Sequence, residues 1–419
     1  MFFIYNFFLV ALSIVFLPLI LIAFVVQPKF RAGFWEKIGF YKFNLDKSKR
    51  TVFIHAVSVG EVNAIEEFVK RVRKEFPNDN IVISTTTKTG QEIANKKLSS
   101  VVNAITYFPY DFFFSVLAFL NLLNPDIIII AETEIWPMFT FFANKKNIPL
   151  YIINGRISPH SYEGYKKISF FVKNVLNKYT KILAQTKDDA KRIIDIGAKS
   201  ELVETMGNLK FDISKNLSFE EVENLKNELR THNKKILVAG STHKGEDEII
   251  LRAYLKLYEK DNSIKLLIAP RHPQRFEQVE NLIKETKLNY SKRSSGGNFD
   301  DNDIIMLDTM GELAKMYSIC DTAFIGGSFS NTGGHNPLEA CIWDKPVVSG
   351  LTVFNFKDIY KFLTNNNACI IANDEKELNE AFEKLFFKND FYLEIAKNAK
   401  LIFEQNHGAI DFAINEIFK

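Results

Sequence analysis

The sequence predicts an α/β protein built from two doubly wound parallel sheets. Three observations predict it: the length, the alternation of short β-branched runs with amphipathic stretches, and an apolar opening that fits neither sheet. At 419 residues the chain exceeds the size at which single cores stop growing, so two domains are the natural division. Strand-like runs at 51–57, 81–84, 126–131 and 150–153 are separated by helical patterns, the first near 61–75. A second series follows at 235–239, 265–269, 304–307, 322–325 and 346–348. Such alternation is what parallel strands joined by crossover helices produce.

Residues 1–26 carry no charged side chain, and Asn6 is the one strongly polar residue among them. As a helix this run is long enough to cross about 30 Å of hydrocarbon. The basic residues Lys29, Arg31 and Lys37 follow it, whereas a cleaved signal peptide places them before a shorter apolar run. A single N-terminal anchor is therefore expected, with everything after Pro28 in the cytoplasm by the positive-inside tendency. An anchor embedded in one leaflet, with the aromatic and basic stretch 30–43 among the headgroups, is also open.

Between the two series, the polar stretch 214–234 is the expected junction, helical over 220–229. Residues 291–303 read as a flexible surface loop rich in Ser, Gly, Asn and Asp. The apolar stretch 112–123 reads as a core helix, with membrane contact as its alternative. A net charge of +3 with 25% charged residues argues against a nucleic-acid-coating protein. Cys320, Cys341 and Cys369 are odd in number and lack CxxC spacing, so neither a disulfide framework nor a zinc site is expected.

In doubly wound sheets, ligands sit outside the carboxyl ends of the strands, so the strand-end loops are where chemistry is expected. Ser58-Val59-Gly60-Glu61 places Glu61 in the first turn of a helix, whose dipole favours the ionised, proton-accepting carboxylate; a solvated first-turn acid fits equally well. Glu132 and Glu134 are one residue apart at a strand end, pointing to the same side if the strand continues. Like charges so close need a cation or ligand to share them. Arg156 and Ser158, in Asn154-Gly155-Arg156-Ile157-Ser158, suit an anionic group or a plain turn. Lys210 offers a fixed positive charge near a ligand or is a surface lysine.

In the second half, Ser241 and Thr242 follow one strand, and Pro270 and Arg271 another; hydroxyls, amides and a guanidinium suit phosphate oxygens. The stretch 326–339 is a glycine-rich loop leading to Asn336 as helix cap, Pro337 and Leu338 behind it, and Glu339 as the closing acid of a capping box. It matches neither the dinucleotide nor the P-loop pattern. Asp301-Asn302-Asp303 precedes a strand and reads as turn residues, so no obligatory metal is expected.

These motifs together resemble a known family. His55-Ala56-Val57-Ser58-Val59-Gly60-Glu61-Val62, Glu132-Thr133-Glu134-Ile135-Trp136-Pro137, Asn154 to Ser158, Met206-Gly207-Asn208-Leu209-Lys210-Phe211, Pro270-Arg271-His272-Pro273-Gln274-Arg275-Phe276 and Gly333-Gly334-His335-Asn336-Pro337-Leu338-Glu339-Ala340 occur in the order found in bacterial 3-deoxy-D-manno-octulosonic acid (Kdo) transferases of the lipid A pathway. The resemblance implies a GT-B fold, an inverting, metal-independent glycosyltransferase without cofactor, CMP-Kdo as donor, and the lipid A precursor lipid IVA as acceptor. It implies the inner membrane as location, membrane lipid as a partner and no nucleic acid. The implied layout is an anchor at 1–28, an acceptor-binding domain at 29–213, a CMP-sugar domain at 214–395, and a C-terminal helix at 396–419 returning to the first domain. By resemblance Glu61 is the base, and Glu132 and Lys210 stabilise the transition state. CMP would meet Pro270, Arg271, Met310, Gly311, Glu312, Asn336, Pro337, Leu338 and Glu339, while Glu134, Arg156, Ser158, Ser241 and Thr242 are possible donor or acceptor contacts. Another GT-B enzyme, such as a UDP-sugar transferase or an epimerase, and a non-enzymatic membrane-tethered binder are the rival readings.

Overall fold

The computed structural model describes residues 1–27, 31–213, 215 and 217–419. The chain divides into two compact units: Met1–Asp212 with Asn406–Lys419, and Ile213–Gln405. In the first unit the strands are β1 (Thr51–His55), β2 (Asn80–Thr85), β3 (Ala104–Tyr107), β4 (Ile127–Ala131), β5 (Leu150–Gly155), β6 (Lys181–Ala184) and β7 (Val203–Thr205). They form one seven-stranded sheet in the order β3-β2-β1-β4-β5-β6-β7, parallel throughout. The order runs outward from β1 in both directions, and that reversal puts the β1 and β4 loops at the switch point where doubly wound sheets bind ligands.

Both faces of this sheet are covered, as a parallel sheet requires. Side-chain alternation along a strand divides the core in two: Phe53, Ile128, Ile130 and Ile152 pack on one side, Val52, Ile54, Ile129 and Ile153 on the other. The second layer includes Val62, Ile65, Val69 and Val72 of the helix Val59–Glu75, together with Ala409, Ile410, Ala413, Ile414 and Ile417 of the helix Ala409–Phe418. The last helix of the chain thus belongs to the first sheet's core. The expected boundary at 396 falls inside the helix Asn389–Asn406, and the division lies at Asn406 instead.

In the second unit the strands are β8 (Lys235–Thr242), β9 (Ile264–Pro270), β10 (Tyr290–Lys292), β11 (Ile304–Met306), β12 (Thr322–Ile325), β13 (Val347–Gly350) and β14 (Cys369–Ala372). Their order is β10-β11-β9-β8-β12-β13-β14, again all parallel. Two Rossmann-like units of this kind make the expected GT-B fold. The segment 291–303 departs from its reading as a loop, because Ser291 and Lys292 close β10 and Phe299 is fully buried. Asp303 is a buried ion-pair partner of Lys265 at 2.6 Å. Ser214, at the expected junction, lies outside the described residues, and the helix expected there runs Phe219–Leu229 behind a Ser218/Glu221 capping box.

The opening run forms two helices, Phe2–Val15 and Leu17–Val26, bent by 62°, instead of one. Pro18 accounts for the break: its ring excludes the N–H that a continuous helix would donate to Ile14 and crowds the preceding turn. No single helix among the described residues is long and apolar enough to cross a membrane, whereas the bent pair is by length and composition. The first helix also touches the body: Asn6 Oδ1 accepts from the Phe113 N–H at 2.9 Å, and Phe2 and Tyr5 pack on Phe141 and Phe171. Asn6, polar within an apolar run, thereby caps the helix Phe113–Leu123, whose other face is buried through Val116, Phe119, Leu120 and Leu123. Among the basic flanking residues, Lys29 lies outside the described residues, and Lys37 is buried with its ammonium 4.6 Å from the Tyr107 ring centre. Lys37 is therefore part of the body and no headgroup anchor.

Candidate functional site

Glu61 is the third residue of the helix Val59–Glu75, just past the end of β1. Its carboxylate turns back onto the loop: Oε2 accepts from the Val57 N–H at 2.6 Å and Oε1 from the Ser58 hydroxyl at 3.1 Å. The Val57 carbonyl is gripped in turn by the Thr86 N–H at 3.1 Å, the Thr87 N–H at 3.2 Å and the Thr87 hydroxyl at 3.3 Å. The β2 loop, for which the sequence carried no expectation, therefore fixes the segment that holds Glu61. Its signal was a run of threonines ahead of a helix, with Thr87 as N-cap to Gly90. Burial pushes the Glu61 carboxyl up to about 7, with Glu132 and Glu134 adding repulsion against the two hydrogen bonds. The expectation of a dipole-stabilised anion is corrected accordingly: desolvation outweighs the helix terminus, and the group titrates at neutral pH.

β4 stops at Ala131, and Glu132 takes a left-handed backbone, φ 57°. The same-side reading of Glu132 and Glu134 therefore fails, since the strand does not continue. A non-glycine residue in that region is held there by its surroundings: the Glu132 N–H donates to the Ile153 carbonyl at 2.9 Å, and Oε2 accepts from Arg156 Nε at 2.9 Å. Lys210 Nζ lies 4.0 Å from Oε1, and both side chains are largely buried. Lys210 is thus an inward charge and not a surface lysine. Burial, with Glu132 beside it, pushes Glu134 up to about 7. Ser158 is an exposed N-cap that accepts from the Ser161 N–H, which supports the turn reading for that hydroxyl.

Three asparagines hold the turn that carries Lys210. Asn154 Oδ1 accepts from the Leu209 N–H at 3.1 Å, Asn208 Oδ1 from the Lys210 N–H at 3.0 Å, and Asn406 Oδ1 from the Asn208 N–H at 2.7 Å. Asp212 then accepts from the Gly408 and Ile410 N–H groups at the start of the last helix. Two motifs that read as chemistry, at 154–158 and 206–211, are thus also joints.

In the second unit, Ser241 is left-handed at φ 56°, and Thr242 is buried with its hydroxyl on Asp247 at 2.6 Å. The Arg271 N–H donates to the Thr242 carbonyl at 3.0 Å, so the loops after β8 and β9 are joined. The glycine-rich loop differs from its reading as a cradle. The N–H groups of Gly327, Ser328 and Phe329 all donate to the buried carboxylate of Glu246, at 2.7, 2.7 and 2.8 Å. The N–H groups of Gly334 and His335 donate to the carbonyls of Gly327 and Gly326. These glycines serve close packing: a Cβ on Gly326 would overlap the Ser241 carbonyl. Gly326→Ala is therefore expected to cost about 2 kcal/mol or more, read as a lowered unfolding midpoint of the full chain.

Asn336 Oδ1 accepts from the Leu338 N–H at 3.1 Å, as a cap should, with Pro337 as the residue before the helix Leu338–Cys341. Glu339 does not close a capping box. It is largely buried, and burial holds its carboxyl above the ordinary range while the nearby Arg271 pulls it down. Met310 is exposed and Gly311 open with φ 84°; Glu312 accepts from Thr309 and Arg293. Pro270, the last residue of β9, is buried. Three histidines missed by the sequence reading gather at these strand ends: His243, His272 and His335, with ring centres 5.3 and 5.2 Å from that of His243. His272 and His335 lie within the family-like motifs and His243 directly follows Thr242, but single histidines carry no spacing signal.

Residues 32–213 match the family described as 3-Deoxy-D-manno-octulosonic-acid transferase (kdotransferase). The 3-deoxy-D-manno-octulosonic acid transferase of Haemophilus influenzae is 34% identical over 415 residues, 97% of this chain and 96% of its own length. That of Rickettsia prowazekii is 30% identical over 374 residues, 88% of this chain and 79% of its own. Among solved structures, a UDP-GlcNAc 2-epimerase from Neisseria meningitidis covers 87% of this chain and 98% of its own with TM-score 0.50 at 13% identity, a likeness of fold alone.

Proposed function

The chain belongs to the 3-deoxy-D-manno-octulosonic acid (Kdo) transferase family, and on that premise we propose that it transfers Kdo from CMP-Kdo to the lipid A precursor lipid IVA, in lipopolysaccharide core biosynthesis, with inversion. The observation that carries the reading is Glu61, a carboxyl fixed by Val57 and Ser58 and brought to about 7, the range a general base uses at neutral pH. Glu61 takes the proton of an acceptor sugar hydroxyl as that oxygen bonds to the anomeric carbon of Kdo. The bond from that carbon to the CMP phosphate breaks, and the electron pair leaves with CMP.

The first unit would serve the acceptor and the developing oxocarbenium charge. Glu132 is oriented by Arg156 and backed by Lys210, so its carboxylate has a fixed direction. Lys210→Met is expected to lower turnover about 100-fold with CMP affinity unchanged, read as single-turnover rate against donor binding. The second unit would hold CMP, with Arg271 on the phosphate and the stretches 310–312 and 336–339 around the nucleoside. A single phosphate is a smaller charge than a diphosphate, consistent with transfer that needs no metal and persists in a chelator.

Attachment to the inner membrane, both units cytoplasmic, belongs to the same proposal. The apolar bent pair supports it, as do Trp35 and Phe40, which are 67% and 68% exposed. The contacts of Phe2, Tyr5 and Asn6 with the body favour an anchor that lies in one leaflet over one that spans. The test is incubation of the purified chain with CMP-Kdo and lipid IVA and weighing of the lipid. A mass gain of one or more Kdo residues is expected; turnover of a UDP-sugar with none of CMP-Kdo would overturn the reading.

A further inference from the structure

His243 and His335 approach nitrogen to nitrogen, Nε2 to Nε2 at 2.9 Å, with their planes inclined by only 12° and ring centres 5.2 Å apart. The rings are therefore edge to edge and joined by one N–H···N bond, in which one Nε2 donates and the other accepts. Neither Nδ1 has a hydrogen-bond partner among the described residues. The geometry is rigid. The His335 N–H donates to the Gly326 carbonyl and its own carbonyl accepts from Tyr360 at 3.1 Å, while the His243 N–H donates to Glu246 at 2.8 Å. A Cβ on Gly327 would stand 3.0 Å from the His335 ring, so the left-handed glycine there leaves room for the pair.

Positive charge surrounds the two rings. His272 and Arg271 act on both, Arg275 on His243, and the one facing anion that opposes them is Glu246 beside His243. Burial, and this company, hold both imidazoles neutral, His335 down to about 4. Glu246 is fully engaged by four N–H groups and cannot move to serve the pair. A ligand anion seated against Arg271 would change the balance, since it adds the opposite charge beside a pair that already has a place for one more proton.

We propose that the His243–His335 pair is a proton-accepting part of the donor site: an anionic donor phosphate draws one proton from solvent onto the free Nδ1 of whichever ring donates. That ring becomes an imidazolium whose Nε2–H still bonds the neutral partner, now as a charge-assisted bond. The pair then adds to the charge of Arg271 a positive charge that is present only when the phosphate is bound. This rests on the reading of the second unit as the CMP-sugar domain. Affinity for the phosphate accordingly rises as pH falls through the value of the occupied pair, because the empty pair stays neutral, His335 down to about 4, and binding and protonation are linked.

The test is calorimetric titration of CMP into the full chain at pH 7.5, in buffers of different ionisation enthalpy, with cytidine as the uncharged probe. Uptake of about half to one proton is expected with CMP and none with cytidine. His335→Gln is expected to remove most of the uptake and weaken CMP about 10-fold. Binding of CMP without proton uptake in the unaltered chain, or equal uptake in His335→Gln, overturns the proposal while leaving the donor reading intact. Absence of any CMP binding to the unaltered chain overturns the donor reading and the proposal with it.

Discussion

Glu61→Gln is expected to lower Kdo transfer by about 1,000-fold, within the span a positioned general base contributes, while CMP binding stays as in the unaltered chain. The amide keeps the size of the side chain and can still accept from the Val57 N–H, so the loss isolates proton removal from geometry. Stability is not expected to suffer. Glu61 is buried and its ionised form is disfavoured there, so a neutral isostere removes an unfavourable charge. Quench-flow single turnovers with lipid IVA, beside a melting curve, separate the two effects; turnover within a few-fold of the unaltered enzyme would sink the assignment. The same group sets the acid limb of the pH profile. Because the base must be deprotonated and burial puts it at about 7, kcat/KM should rise as pH rises through that value and then level. Glu134 contributes repulsion to that position, so Glu134→Gln should move the limb to lower pH. The two carboxyls interact with Glu132, and the midpoint belongs to the cluster, not to one residue.

Particular residues tell how far the sequence could be read. The long β-branched runs, such as Val52 to His55 and Ile127 to Ala131, announced central strands, because strands buried on both faces are continuously apolar. The strands β3, β7, β10 and β14 are three or four residues long with partly exposed positions, so no periodicity exceeded that of the loops around them. Pro18 was visible, but an apolar run of even composition masked the break it causes. Glu61 and Glu132 were legible because each follows a readable strand, whereas Lys210, behind the short β7, joined them only through the family resemblance. What sequence could not carry was sign and use: that burial would outweigh the helix dipole at Glu61, that Glu132 would leave the strand, or that the glycine-loop amides were already taken. Each depends on a partner distant in sequence, as Glu246 is from Phe329.

Glu246 bears the opposite kind of carboxylate from Glu61, and its removal should be the larger structural loss. It opens the helix Glu246–Lys260, is 1% exposed, and accepts from His243, Gly327, Ser328 and Phe329 within 2.8 Å. Glu246→Ala leaves four donors without an acceptor, two of them buried and two partly buried. Unmet buried N–H groups cost about 1–3 kcal/mol each, and with partial relaxation about 4 kcal/mol in total is expected. For a unit of this size that is a fall of about 10 °C in melting temperature, together with loss of CMP binding, since the loop carrying His335 and Asn336 is no longer held. Glu246→Gln should fall between: one oxygen still accepts, but the new NH2 faces donors and repels them. The two glutamates thus separate on one pair of measurements. Glu61→Gln should lower turnover about 1,000-fold at unchanged melting temperature and CMP affinity, whereas Glu246→Ala should lower melting temperature and CMP affinity alike. A Glu246→Ala protein that melts within about 2 °C of the unaltered chain and binds CMP normally would show that the glycine loop is held by its own packing, with Gly326 against Ser241 and Gly333 against Phe354 sufficient to fix it.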